Sequence, residues 1–494
     1  MLLPPLRLVR GDRLKSRIAS VVTVLATLVV ATGVMLAVTA PSPLGRASHA
    51  RGLAEEELEQ QLATQLRVEA LREARAEGTF GQRERIVRTP APGWVGEQVM
   101  NPGTDDWEPA IAADPHAPWV YMLVTRYGAR PCPGCASPFI ALKRSRNGGA
   151  TWGGGKALCP CAGRGQFDPI VEVVPDTGDV YALYMKWFNV VFTRSRDHGR
   201  TWSRPVPTYG DVAWGDKPVL ATSDDGRHVY ASFNGPTGGD PWIVQSHDFG
   251  VTWTQTKVVA SGRYFFAFDA DVAPDGSVVF SQSSIDYSGP GGAPVGEVFH
   301  HAFVSNDRGV SWSNVVVDRV AVGEACVADG CSSDFYIGHS AVAADDRGDL
   351  VYLYDAATHD LGPQRIFARR STDGGLTWTD RKRLSRWSEH ATSPAVESTG
   401  TGDVRAWYAE TVRRNHDAWN IWYRSSSNGG RSWNEPVRLS DASTGAGYKS
   451  AVGFREVYGD YGEMAITNAG RTIAVWGEGF SWTGPGGAWF NRQS

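Results

Sequence analysis

The sequence predicts an all-β protein built from repeated units. Three observations carry that prediction: a short pattern that recurs six times, a second strand element upstream of each copy, and a composition rich in turn residues. The pattern is Ser-x-Asp/Asn-x-Gly-x-Thr/Ser-Trp. It reads SRNGGATW from Ser145, SRDHGRTW from Ser195, SHDFGVTW from Ser246, SNDRGVSW from Ser305, STDGGLTW from Ser371 and SSNGGRSW from Ser426, at intervals of roughly 50 to 66 residues. Its third residue (Asn147, Asp197, Asp248, Asp307, Asp373, Asn428) can bond the backbone two residues on, and its glycine permits positive φ, so each octapeptide predicts a hairpin. The closing tryptophans (Trp152, Trp202, Trp253, Trp312, Trp378, Trp433) are large apolar plates at one place per unit, which predicts burial between neighbouring units. Periods of this length mean a propeller, a solenoid or an array.

Composition narrows the function classes. Gly at 56 and Trp at 19 of 494 residues suit many short strands joined by tight turns. The formal net charge is −4, yet Arg7, Arg10, Arg13, Lys15 and Arg17 crowd the extreme N-terminus, so the repeat region is more acidic than the total. No basic stripe appears, which argues against a nucleic-acid partner.

The octapeptide is the Asp box, and on its six copies the chain resembles the Asp-box (BNR-repeat) β-propellers, the sialidase-like superfamily, over roughly its last four fifths. The resemblance implies an all-β propeller and speaks to fold, not activity. It also implies that the Asp boxes lie on the rim opposite the active face, as structural staples.

Taken in order, residues 1–50 read as an export signal or membrane anchor. The positive flank precedes an uncharged apolar run from about Ile18 to Ala40, long enough to cross a bilayer, and Ser48 and Ala50 suit a cleavage site. Residues 51–80 read as a charged helix, with Leu58, Leu62 and Leu66 on one stripe and no breaker until Gly78, a stalk for a permanent anchor. Residues 81–494 form the propeller, which either route places outside the cytoplasm, secreted or anchored to the cytoplasmic membrane. Six cysteines in three local pairs agree. Cys326 and Cys331 most simply close a short loop, and Cys132/Cys135 with Cys159/Cys161 could cross-link two loops or hold zinc.

Upstream of each Asp box runs an apolar strand, an Asp/Gly turn and a Val/Tyr-rich strand. There are seven such pairs, from AIAADPHAPWVYMLV at Ala110 to EMAITNAGRTIAVWGE at Glu463, but only six Asp boxes. The seventh unit ends in GGAWFNRQS with no room for an outer strand, so an N-terminal segment such as ERIVRTP from Glu84 would close the ring. Seven blades are therefore expected, with the six-bladed sialidase arrangement as the alternative.

The face opposite the Asp boxes is built from loops that lead into each innermost strand and loops that follow each second strand, and polar residues concentrate there. A sialidase-like site, as the resemblance implies it, needs three arginines on a substrate carboxylate, a Tyr/Glu nucleophilic pair and an Asp acid. By position the clamps would be Arg126, Arg413 or Arg414, and Arg455. The pair would be Tyr458 or Tyr448 with Glu456 or Glu410, and the acid Asp168 or Asp106. The family's Arg-Ile-Pro motif is missing, the nearest string being RIVRTP at Arg85. A carboxylate before an inner strand also commonly caps a turn or binds a backbone amide. No cofactor is implied, although acidic turns such as PDTGD and DDRGD could bind structural calcium. Two readings stand: a glycan-processing hydrolase, or a non-catalytic surface propeller that binds an extracellular glycan or a surface protein.

Overall fold

The computed structural model describes residues 44–80, 89–212, 215–235, 239–259, 261–289, 294–324, 338–447, 462–479 and 485–494. The expected membrane segment, the pair Cys326/Cys331, and Tyr448, Arg455, Glu456 and Tyr458 lie outside them. Among the described residues no helix is long and apolar enough to cross a membrane. The chain divides at Gly52, and everything below concerns the unit Leu53–Ser494.

Among the described residues one helix, α1 (Leu44–Ala76), precedes the strands, and its part from Leu53 onward belongs to this unit. β1 (Gln98–Val99) comes next. The strands that follow fall into runs of four. The first is β2 (Asp105–Ala113), β3 (Val120–Tyr127), β4 (Phe139–Ser145) and β5 (Lys156–Ala157). The second is β6 (Gln166–Val173), β7 (Val180–Lys186), β8 (Val190–Ser195) and β9 (Val206–Pro207). The third is β10 (Asp216–Thr222), β11 (Val229–Asn234), β12 (Pro241–Ser246) and β13 (Thr254–Lys257). The fourth is β14 (Tyr264–Val272), β15 (Val278–Asp286), β16 (Val295–Ser305) and β17 (Ser313–Ala321), and the fifth is β18 (Ser340–Ala344), β19 (Leu350–Ala357), β20 (Gln364–Ser371) and β21 (Lys382–Arg383). The sixth is β22 (Ala391–Thr399), β23 (Asp403–Val412), β24 (Asn415–Ser426) and β25 (Val437–Arg438), and the last three strands are β26 (Glu463–Ile466), β27 (Thr472–Gly479) and β28 (Gly486–Arg492).

Each run is an antiparallel meander in sequence order, and the fourth and fifth are joined by the pair Ala321↔Ala357 and, beyond it, by the bridge Gly323↔Gly362. The last three strands take β1 as their outer strand, in register Gln98↔Phe490 and Val99↔Trp489. An N-terminal strand does close this sheet, but it lies downstream of ERIVRTP, where Trp94 and Gln493 already bridge and fix the approach. The innermost strands succeed one another in a cycle, β2 beside β6, then β10, β14, β18, β22 and β26, which returns to β2. This is a propeller arrangement, with the apolar core in wedges between successive sheets. Leu183, Phe192, Val229 and Phe233 fill one wedge, and Met122, Val124, Ile473, Val475 and Phe490 another.

The six octapeptides fold alike, and differently in one respect from the turn their residues suggest. Asp197 accepts from the amide of Thr201, four residues on, at 2.8 Å, and from the Thr201 hydroxyl at 2.7 Å, while the Ser195 hydroxyl donates to it and accepts from the Gly199 amide, both at 2.8 Å. The reach is four residues because two successive positions adopt positive φ, His198 at 56° and Gly199 at 70°, which folds the chain back over the carboxylate. The glycine is needed twice. At Gly250 φ is +77°, and an added Cβ would lie 2.1 Å from Cε1 of Phe192 in the preceding sheet. The tryptophans complete these joints: Trp152 meets Phe490 edge-on at 5.8 Å, and Trp312 meets Tyr230 at 6.3 Å.

Two disulfides are present, Cys132–Cys135 and Cys159–Cys161, and no cysteine among the described residues is free. Each pair closes on itself and the expected cross-link between loops is absent. The loops are joined instead through the backbone, where the Ala136 amide donates to the Cys161 carbonyl at 2.9 Å.

Candidate functional site

The innermost strands share a device that shapes one end of the axis. Trp107-Glu108-Pro109, Phe167-Asp168-Pro169, Asp216-Lys217-Pro218 and Thr392-Ser393-Pro394 each interrupt the ladder with a register shift, and φ at the middle residue is 54°, 49°, 52° and 49°. Proline suits a bulge because it has no amide to leave unpaired, and the bulge re-aims the side chain before it. Glu108 is thereby turned toward the next sheet: its carboxylate accepts from the Thr125 hydroxyl of its own sheet at 2.5 Å and from the Asp168 amide of the next at 2.9 Å. The same solution recurs elsewhere around the axis. Asp269 and Asp271 accept from the amides of Val342 and Ala344, and Glu463 from that of Ile111. Carboxylates therefore staple one innermost strand to the next where no backbone ladder runs between sheets.

The axis is acidic as a result. Burial pushes the carboxyls of Asp269 and Glu463 up to about 8 and that of Asp271 up to about 6. Glu172 and Glu397 are also raised well above the ordinary range, first by burial and then by one another's neighbours Glu463, Asp269 and Asp271. These carboxylates belong to four different sheets, whose innermost strands succeed one another around the axis.

At the loop end, the clearest construction is made with α1. Arg67 is 2 % exposed and pairs bidentately with the fully buried Asp105, at 2.6 and 2.7 Å. Its guanidinium lies 4.4 Å from the ring centre of Trp107 and 4.5 Å from that of Tyr127, an aromatic slot with a carboxylate at its base. Leu71, four residues on and so on the same helix face, is also buried, whereas Leu58 of the expected stripe is 46 % exposed. Burial raises the pKa of Asp105 even with Arg67 beside it.

The sequence-derived candidates occupy two parts of this face. Arg126, at the end of β3, pairs bidentately with Asp106 at 2.8 and 3.0 Å, and Asp106 also accepts from Asn101 at 2.7 Å. Asp168 is buried at the neighbouring bulge, its amide held by Glu108. These three are brought together on adjacent sheets. Arg413 and Arg414 form an exposed β23–β24 turn, both at φ 56°, with β26–β28 between that sheet and Arg126. Near them the Glu410 carboxylate accepts from the Arg386 amide at 3.0 Å and pairs with its guanidinium. The Glu389 carboxylate accepts from the Thr411 hydroxyl at 2.9 Å and the Arg414 amide at 2.7 Å.

Sequence reasoning missed Arg67, which carries no local signal in a charged helix, and it missed two tryptophan–arginine pairs, one half-buried and one exposed. Trp187, between β7 and β8, has the Arg164 guanidinium 3.9 Å over its ring. Trp387, between β21 and β22, is 58 % exposed and has Arg383 at 4.1 Å. By the strand order both loops lie at the same end of the sheets as the slot.

Sheet order and axial packing define an all-β protein of propeller class. No protein-family model matches the sequence, and a search of curated proteins finds no match. Solved structures similar to it include a polysaccharide lyase, an ulvan lyase, at 12 % identity and TM-score 0.48, covering 81 % of this chain and 94 % of that one. The intramolecular trans-sialidase from Ruminococcus gnavus is similar at 12 % identity and TM-score 0.44, over 82 % and 98 % of the two chains. YCF48 bound to D1 peptide is similar at 13 % identity and TM-score 0.42, over 83 % and 99 %.

Proposed function

We propose that this chain is an exported seven-bladed propeller, secreted or membrane-anchored, whose loop face binds anionic extracellular glycans. The observation that carries the reading is the pair of tryptophan–arginine platforms. An indole face stacks on the C–H face of a sugar ring, and a guanidinium alongside pairs with a carboxylate or sulfate on the same sugar. Trp387 with Arg383 supplies both halves, and Trp187 with Arg164 supplies them where a sugar acid displaces Glu57, which Arg164 holds at 2.8 Å in a pair that is partly exposed and not buried. Binding is favoured over hydrolysis because Arg126 already holds Asp106 with both nitrogens, so a substrate carboxylate would have to displace a buried partner.

Sialidase-like hydrolysis is the second reading, favoured by the string REVYGDYGE, in which Arg455, Glu456 and Tyr458 supply a clamp and a nucleophilic pair. One experiment separates the two. Sialylated, uronic-acid-containing and neutral oligosaccharides are offered to the wild type and to Trp387→Ala and Trp187→Ala, beside turnover of a fluorogenic sialoside. Binding restricted to the anionic sugars and weakened at least tenfold by either substitution supports the proposal. Sialoside turnover abolished in Tyr458→Phe would install the second reading, and no binding to any oligosaccharide would remove the first.

A further inference from the structure

A group of side chains on the loop face has a composition that neither the axis nor the platforms explain. Glu324 follows β17, His390 precedes β22, and His416 lies at the start of β24, so three connections widely separated in sequence bring them together. One ligand atom from each lies within 4.8 Å of the other two. His390 is fully buried and His416 is 4 % exposed, while Glu324 is about one-third exposed. Nε2 of His390 is 3.2 Å from Oε2 of Glu324, and the two imidazoles meet at 4.7 Å between ring centres, 86° between planes.

We infer that Glu324, His390 and His416 form a binding site for a divalent transition metal, zinc by preference. Two imidazole nitrogens and one carboxylate oxygen are a donor set that zinc takes with a fourth position left open. In a zinc tetrahedron with bonds of about 2.0–2.2 Å, ligand atoms stand about 3.3–3.6 Å apart. The Glu324–His390 edge, at 3.2 Å, is within about 0.1 Å of that range, and the other two edges need contractions of at most about 1.5 Å, within the reach of side-chain rotation. The backbone around the ligands is held in advance. The His390 amide donates to the Thr411 hydroxyl at 3.0 Å, and the Thr411 amide donates back to the His390 carbonyl at 2.9 Å. Trp419 Nε1 donates to the His416 carbonyl at 2.8 Å, and the Glu324 amide to Gly362 at 2.8 Å. Glu324 is the partly exposed member of the group, and the Arg414 guanidinium, 54 % exposed, lies 3.7 Å from its carboxylate.

The test uses the full-length protein, stripped with a chelator and titrated with zinc against a chromophoric competitor, with cobalt(II) as the spectroscopic probe. The wild type is expected to take one equivalent of zinc at sub-micromolar affinity and to give cobalt the intense visible absorption of a four-coordinate site. His390→Gln and His416→Gln are expected to weaken zinc binding at least a hundredfold and to abolish that absorption. Glu324→Gln, at a partly exposed position that folding tolerates, should weaken it ten- to a hundredfold with an unchanged melting temperature in the absence of metal. His116→Gln, at an exposed turn, should match the wild type. Less than about a tenth of an equivalent bound by the wild type, or wild-type affinity in Glu324→Gln together with either histidine variant, overturns the assignment.

Discussion

Replacing Arg67 by methionine tests whether α1 is an integral part of the loop face. The substitution keeps the length and apolar stem of the side chain but removes the guanidinium from a slot in which Arg67 is 2 % and Asp105 0 % exposed. Breaking a buried pair by removing one partner typically costs about 3–5 kcal/mol, because the remaining charge stays buried. A unit of roughly 440 residues unfolds with an entropy of about 0.9 kcal/mol/K, at about 2.1 cal/mol/K per residue. The melting temperature should therefore fall by about 3–5 °C. If undocking of the helix is easier than global unfolding, the loss appears as trypsin cleavage at Arg72 and Arg75 under native conditions. Arg67→Met/Asp105→Leu should recover much of the loss, since no charge is then left buried. A melting temperature within 1 °C of the wild type, with unchanged trypsin resistance, would refute the reasoning and reduce Arg67 to a surface contact.

The axial carboxylates give the protein a pH signature. Their folded pKa values are raised, so between their unfolded values near 4 and about 8 the folded state holds more protons than the unfolded, and stability falls as pH rises. Burial holds His300 and His301 down at about 4, which acts in the opposite sense only below about pH 6.5. Denaturant midpoints should thus decline from pH 6.5 to 8 and then level, with a smaller decline in Glu463→Gln, and a midpoint that climbs across this window would contradict the axial assignment. Gly250→Ala combines a left-handed φ with a Cβ 2.1 Å from Phe192, so it should cost about 2–4 kcal/mol, read by chemical denaturation; a loss below 0.5 kcal/mol would show that this joint has slack. Ser195→Ala leaves the Gly199 amide without its hydroxyl acceptor and should cost about 1–2 kcal/mol by the same measurement, while a neutral result would assign the turn to backbone preference alone.

What the sequence determined is what its neighbours in the chain can enforce. Each hydrogen bond of the octapeptide joins residues no more than four positions apart, so Ser195, Asp197, Gly199 and Thr201 specify their turn wherever the unit lies. The same locality made the strand pairs readable. The reach of Asp197 to the fourth amide was not readable, because it depends on two successive positive φ values. Tertiary structure alone decided the rest. Arg67 meets Asp105 across 38 residues, Glu463 meets Ile111 across 352, and Glu324, His390 and His416 meet from three separate connections. Such meetings depend on how far each sheet rotates about the axis and how long each connecting loop is, and neither leaves a local pattern. A charged residue in a helix looks solvated until a sheet supplies Trp107 and Tyr127 on either side, and a carboxylate in a strand looks like a turn cap until the next strand offers its amide.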